Sequence, residues 1–332
     1  TSMLKNEIAS ISNGSSTVYE VAFKSKYNKS LNAEEKEISS IVEAWAKEIG
    51  ERGSDPNHEI AAFVIKTIEP VIYDYPDELL DELFDRGSVD EFDDIHGLVN
   101  PENTLVVHEA AKGGNVPKSY IDYKELKPVW THKQIETELR YTDLRKNGFK
   151  TIANLTMFAE EALKNDMFKT VFNAVDSLIT STNAEQYIAS GGSTLTQTDL
   201  NALILYIIER GVNPFVVCRS AYAQQIANMS GQVSFMSNDM KNEYNRYGLV
   251  NFYNGARIAH IPSAIKVNGE PALPDKKIFG IAGKIGTLDM RGSLRIYEDF
   301  NNKSEKVELK ITGFEYGYMI EKPENIAKLV LV

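Results

Sequence analysis

The chain has 332 residues, 42% hydrophobic and 25% charged, with a formal net charge of −11; this is ordinary globular composition, with enough apolar material for one large domain or two closely joined ones. No apolar run approaches the roughly 20 residues of a bilayer-spanning helix, and no N-terminal stretch pairs a basic flank with an apolar core, so neither a membrane protein nor a secretion signal is expected. Cys218 is the single cysteine, which excludes a disulfide framework or a thiolate metal cluster within one chain and fits a reducing interior.

The charge is uneven. Residues 33–95 hold 19 acidic and 5 basic side chains, a balance of −14, which leaves the rest of the chain at about +3. Such a run is most simply a solvated helical face. The sharper alternative is an acidic arm that docks on another surface or keeps subunits apart until assembly.

In chain order, residues 1–30 are polar and without period, the pattern of an extended or partly disordered arm. From Ala33 to Gly50, Ile38, Ile41, Val42, Trp45 and Ile49 recur at helical spacing, with Gly50 as the expected left-handed stop. Glu59–Glu69 and Asp77–Asp85 read as two shorter helices. Thr104–Val107 reads as a strand and Gly113-Gly114-Asn115 as a break. Lys118–Arg145 reads as a long polar hairpin, its strands at Tyr120–Tyr123 and Gln134–Leu139, which buries little core by itself.

Phe149–Leu178 carries the strongest signal. Its apolar residues keep a helical period for about 30 residues without Pro or Gly, a rod of about 45 Å. After the loop Ser190–Gln197 the pattern alternates. Thr198 is the expected cap of a helix ending at Arg210-Gly211, Phe215–Cys218 a buried strand, and Ser220 the cap of a helix over Tyr222–Met229. Ala256–Ile261 is a strand. The remainder is all β: Ile278–Ala282, Ser293–Glu298, Val307–Ile320 and Ala327–Val332.

Catalytic constellations are missing from this pattern. His58, His96, His108, His132 and His260 never pair at ligand spacing, so no metal and no cofactor is expected. Gly283-Lys284-Ile285-Gly286-Thr287 lacks the hydroxyl residue after Lys that a phosphate loop requires, and strands flank it. Cys218 beside Arg219 has no nearby His and reads as packing. Asp77-Glu78 and Asp93-Asp94 sit outside apolar pockets, and no basic cluster with interleaved aromatics suggests nucleic-acid reading. Asn154-Leu155-Thr156 and Asn228-Met229-Ser230 lie in helical patterns and are chance matches to a glycosylation triplet.

The order of parts is itself informative: arm, polar hairpin, long helix, α/β region, closing β segment. Several phrases fit the same scheme: Phe215-Val216-Val217-Cys218-Arg219-Ser220-Ala221, Tyr253-Asn254-Gly255-Ala256-Arg257-Ile258, Lys277–Lys284, Phe314-Glu315-Tyr316-Gly317-Tyr318 and Lys322-Pro323-Glu324-Asn325-Ile326. Over roughly residues 100–332 the chain resembles the HK97-like major capsid proteins of tailed bacteriophages, a fold shared with encapsulin shells. The resemblance implies an α+β fold, with an N-terminal arm and acidic helical segment (1–100), an extended loop and spine helix (101–190), an axial domain (191–275) and a C-terminal β segment shared by axial and peripheral domains (276–332).

It also implies a non-enzymatic subunit that assembles with itself through pentamers and hexamers into a virion shell around double-stranded DNA, formed in the bacterial host cytoplasm. Scaffolding, portal and decoration proteins are the other implied partners. Tyr120, Tyr123, Trp130, Glu136, Arg140 and Arg145 are the candidate intersubunit contacts. The Lys–Asn cross-link with a buried Glu known in some members is not assigned to residues of this chain. An encapsulin-type nanocompartment is the alternative within the fold, and a cytoplasmic α/β enzyme the alternative of another class.

Overall fold

The computed structural model of the chain describes residues 29–53, 58–65, 78–93, 99–102, 105–109, 117–229, 249–262, 266–267, 269–301 and 305–332, with residues 20, 21, 24, 95, 112, 115 and 241 besides. Nearly all of the predicted arm therefore lies outside the described residues.

Asn32 opens helix α1 (Ala33–Arg52) with a capping box: its side chain accepts from Glu35 N at 2.8 Å, and its own N–H donates to Glu35 Oε2 at 2.9 Å. The helix does not stop at Gly50. It runs to Arg52, and Gly53 at φ 69° is the left-handed cap. Gly50 serves a different purpose, since a Cβ there would come within 2.9 Å of Arg145 N on a crossing helix. Val42, Trp45, Ala46 and Ile49 are buried, and Phe63, in the helical residues 59–65, rests on Trp45 with ring centroids 5.1 Å apart. The predicted continuation to Glu69 lies outside the described residues. The next acidic helix is short, α2 (Glu78–Leu83), and ends earlier than the pattern suggests. At the buried Phe84 the chain turns into strand β1 (Phe84–Val89), which pairs in parallel with residues 286–291.

Strands β2 (Val99–Glu102) and β3 (Asp122–Glu125) form an antiparallel pair of their own. The predicted hairpin is thus corrected: its two limbs do not pair with each other. The second limb is β4 (Val129–Arg140), which lines up along a distant strand at residues 306–320 instead. The physical reason is burial. Ile135 and Leu139 alternate onto one face of β4 and meet Ile311 and Val307 across the ladder, apolar partners that a polar hairpin could not supply. Residues 105–107 are not in a strand.

Helix α3 (Tyr141–Leu178) has one non-helical residue, Gly148 (φ 35°, ψ −108°), so the regular rod begins at residue 149, as the sequence pattern suggests. Next come β5 (Tyr187–Ala189), α4 (Gln197–Arg210), β6 (Pro214–Arg219), α5 (Ser220–Ala227), β7 (Phe252–Tyr253) and β8 (Ala256–Ile261). The cap of α4 is Thr196, which accepts from Asp199 N at 3.2 Å, and not Thr198; Ser220 is the first residue of α5 and not its cap. A small pair, β9 (Lys266–Val267) with β10 (Glu270–Pro271), leads into β11 (Lys277–Ala282), β12 (Gly286–Arg291), β13 (Arg295–Asn301), β14 (Lys306–Ile320) and β15 (Ile326–Val330).

Two sheets organise these strands. In the five-stranded sheet the long β14 is central, with β4 along one flank and β12 followed by β13 along the other; β1 extends it beyond β12. The six-stranded sheet has the order β5-β15-β11-β6-β8-β7. Its side chains alternate between two cores. Val216, Cys218, Ile278 and Leu329 pack under α4 and α5, whereas Phe215, Val217, Phe279 and Ile326 join the larger core around α3. Gly280 lets α4 approach closely, because a Cβ there would stand 3.0 Å from both Ile207 and Leu203.

Candidate assembly surfaces

The described residues of the β2–β3 loop belong to neither core. Its limbs are drawn together where Val106 N–H donates to Ser119 Oγ at 3.4 Å. Leu105, Val106, Val107, Tyr120 and Ile121 are all exposed on it, Val107 at 97%. Large exposed apolar side chains gathered on one segment are uncommon on a protein surface.

The six candidate contacts divide by environment. Tyr120 is exposed on this loop, and Tyr123 lies in β3. Glu136 and Arg140 project from the exposed face of β4, across the ladder from Lys310 and Lys306. Trp130 is engaged within its own chain: its ring lies on Gly317, and the Arg291 guanidinium sits 4.0 Å above it. Arg145 reaches Glu305 at 3.4 Å.

Helix α3 is tied to both sheets by polar links in otherwise apolar surroundings. Tyr316 Oη donates to Asp166 Oδ2 at 2.9 Å and meets Thr170 Oγ1 at 2.8 Å, and Lys133 Nζ reaches the same Asp166 oxygen at 2.7 Å. Burial pushes the Tyr316 hydroxyl well above its usual range. Farther along, Asp176 receives Lys277 at 2.6 Å and Lys328 at 3.0 Å, and Lys328 also donates to the Asp176 carbonyl at 2.7 Å. Burial would raise the Asp176 carboxyl, but the hydrogen bonds from Lys277 and Lys328 outweigh it and hold the group below the usual carboxylate range. Lys328 is only 5% exposed, so this carboxylate is its counter-charge. The sequence offered one hint of the link, a lysine inside the apolar strand Ile326–Val330.

Two surface features were not singled out by sequence. The turn at 90–93 holds Phe92 in water at 95% exposure, and a groove of about 660 Å³ beside β7 exposes Val212 and Phe252.

Among the described residues, no group of three His, Cys, Asp or Glu side chains is placed to hold a metal ion. Burial pushes the Cys218 thiol up to about 12, far from a reactive thiolate. Lys284 pairs with Asp85, and its loop joins two strands. His132 Nε2 lies 3.2 Å from Thr312 Oγ1 and its Nδ1 3.3 Å from Glu315, so the exposed imidazole bridges a half-buried carboxylate and a buried hydroxyl. No helix of the described residues is long and apolar enough to cross a membrane.

The comparisons agree with this picture. No curated protein matches the sequence. Among solved structures, the capsid of the cyanophage P-SCSP1u is similar with a TM-score of 0.53 at 11% identity, covering 76% of this chain and 88% of that one. A chain of Gordonia phage Cozz is similar with a TM-score of 0.51 at 14% identity, covering 80% and 87%. At such identities the likeness is one of fold, and the fold is α+β and HK97-like. The family model described as SPbeta prophage-derived putative capsid protein YonB matches residues 10–318. With that match spanning nearly the whole sequence, the chain belongs to the family of SPbeta prophage-derived putative capsid protein YonB.

Proposed function

We propose that the chain is a major capsid subunit that assembles through pentamers and hexamers into an icosahedral shell around phage double-stranded DNA. One observation carries the reading beyond family membership: the β2–β3 loop displays five apolar side chains outside the chain's own cores. In a monomer that display is a liability for solubility. In a shell it becomes buried area spread over a neighbour, and many weak contacts of this kind sum to a stable particle.

The subunit then reads as four functional parts: residues 1–100 as arm and brace, 101–190 as loop and spine, 191–275 as the axial part, and 276–332 as the β segment joining axial and peripheral sheets. Tyr120 and Tyr123 on the loop, with Glu136 and Arg140 on β4, are the contact residues this reading favours. Trp130 and Arg145 act first within the chain and contribute by shaping the surface. DNA is held without sequence readout, by nonspecific electrostatics. Scaffolding, portal and decoration proteins are the partners expected during assembly in the host cytoplasm.

The test replaces residues 103–121 with a short Gly-Ser linker. The variant should keep the native circular dichroism and thermal transition and yield no closed particles by light scattering and negative-stain microscopy. Closed shells from that variant would overturn the proposed role of the loop. If the unaltered chain, with or without scaffold, never forms closed particles, the shell reading itself fails. Particles that retain protein cargo and no DNA would move the assignment to an encapsulin-type compartment.

A further inference from the structure

A hydroxyl, an imidazole and a carboxylate stand in line on the solvent-facing side of the five-stranded sheet. Thr312 Oγ1 lies 3.2 Å from His132 Nε2, and His132 Nδ1 lies 3.3 Å from Glu315 Oε1. Arg291 fixes the carboxylate from its other side, donating from Nε to Glu315 Oε2 at 2.7 Å. That hydrogen bond holds the Glu315 carboxyl below the usual carboxylate range, so an anion faces the imidazole. A fourth group meets the same ring nitrogen: the side-chain amide of Gln134, with its Nε2 at 3.0 Å from His132 Nε2.

The strands explain the grouping. His132 and Gln134 are two residues apart on β4, so their side chains share a face. Glu315 is directly across the ladder from His132. Thr312 reaches the same face because the β4–β14 register shifts between Ile311 and Phe314, and a bulge re-aims the side chains within it. Gly313, at φ 84°, takes the left-handed conformation that this irregularity needs. All four residues line one hollow of about 610 Å³, together with Lys310.

The proton on the imidazole is placed by its neighbours. Nδ1 faces an anion and Nε2 faces two donors, so Nδ1 carries the hydrogen and the Nε2 lone pair is left to accept from Thr312. This is the arrangement that turns a hydroxyl into a nucleophile. The chain supplies the electrophile as well. Contacts of 3.0 and 3.2 Å on one nitrogen leave the Gln134 amide and the Thr312 hydroxyl no more than about 6 Å apart, and rotation of the Gln134 side chain brings its carbonyl carbon to the oxygen.

We propose that Thr312 and Gln134 join in an ester, a covalent cross-link between β14 and β4 that the folded chain forms on itself. Thr312 Oγ1 attacks Gln134 Cδ while its proton passes to His132 Nε2. The tetrahedral intermediate then expels the amide nitrogen, which takes that proton and leaves as ammonia. Nothing is oxidised or reduced, and no co-reactant enters. His132 is the base, Glu315 and Arg291 position it, and Lys310 is the cation in the hollow that faces the negative oxygen of the intermediate. Proximity within the folded chain favours Thr312 over water, and ammonia lost to solvent draws the reaction forward. The proposal is independent of the shell reading, yet it has a use there. Among the described residues β14 is the only strand paired with β4, the strand through which the β2–β3 loop enters the sheet. A pull on the loop would peel β4 from that edge, and an ester at the register break stops the peel.

The test is the mass of the full chain. After incubation at neutral pH it should fall about 17 Da short of the sequence mass, the loss of one ammonia. A protease that cuts after glutamate should release residues 126–136 joined to residues 309–315, and hydroxylamine should part them. Thr312→Val and His132→Ala should lack the joined peptide, and Thr312→Ser should keep it. Glu315→Gln should cut the fraction joined after a fixed time by about tenfold or more, and Glu315→Asp should recover part of it. Circular dichroism of each variant separates failure to react from failure to fold. An unaltered chain that keeps its full mass after prolonged incubation would overturn the proposal. So would an ammonia loss mapped to an Asn-Gly pair such as Asn254-Gly255, a gain of about 1 Da at Gln134 from attack by water, or joined peptides in His132→Ala.

Discussion

The indole ring of Trp130 lies flat on the backbone of Gly317: a Cβ at Gly317 would stand only 2.6 Å from Trp130 Cε3. The two residues face each other across the β4–β14 ladder, and Arg291 covers the other face of the ring at 4.0 Å. The sandwich joins three neighbouring strands on the outer face of the five-stranded sheet. Gly317→Ala should therefore destabilise the chain by about 2 kcal/mol, since overpacking a fixed aromatic forces strand or rotamer shifts. Urea denaturation would measure the loss. Because Trp130 is one of two tryptophans, a change in its emission at low denaturant should accompany it.

The Asp176 link between α3 and the six-stranded sheet sets an acid limit. Its folded pKa lies below the ordinary value of about 3.9, so its contribution to stability is present above that value and is lost as pH falls through the folded one. Asp176→Asn should cost about 3 kcal/mol at neutral pH, because Lys328 is left buried without its counter-charge. The variant should also lose part of the native chain's fall in stability below pH 4. Melting temperatures from pH 3 to 7 would show both effects.

Cys218 gives the opposite limb. Its folded pKa is raised to about 12 by burial, so the buried thiol favours the fold below its unfolded value of about 8.5, and that contribution is lost as pH rises toward 12. The native thiol should resist a thiol-specific reagent at pH 8 and react fully in denaturant. Cys218→Ala should show a shallower decline in stability between pH 9 and 11. Rapid modification of the folded chain at pH 8 would contradict the burial.

Helix α1 crosses the start of α3 through two glycines. Gly50 lies against Arg145 and Tyr141, and Gly148 lies against Glu43, where a Cβ would stand 3.0 Å from Glu43 Cγ. Gly148 also sits at φ 35°. Gly148→Ala should destabilise by about 1–3 kcal/mol through backbone strain and lost contact. Hydrogen exchange should quicken in residues 33–52 and 141–147 and little elsewhere. Uniform or absent change would show that this crossing does not hold the acidic helix.

The sequence by itself determined the elements whose signal is local. The 3.6-residue period of Phe149–Leu178, the buried run Phe215–Cys218 and the alternation from Val307 to Ile320 each appear in the structure within a few residues of their predicted bounds. Tertiary structure alone decided what pairs with what. Nothing local tells β4 to prefer β14, 166 or more residues away, over the adjacent β3; the apolar faces of Ile135 and Leu139 decide it once Ile311 and Val307 are in place. The same holds for Gly50, a helix stop by local grammar and a crossing point in three dimensions, and for Lys328, whose carboxylate partner lies 152 positions away. Local propensity acts over a few residues, whereas burial and charge pairing act between any surfaces the folded chain brings together.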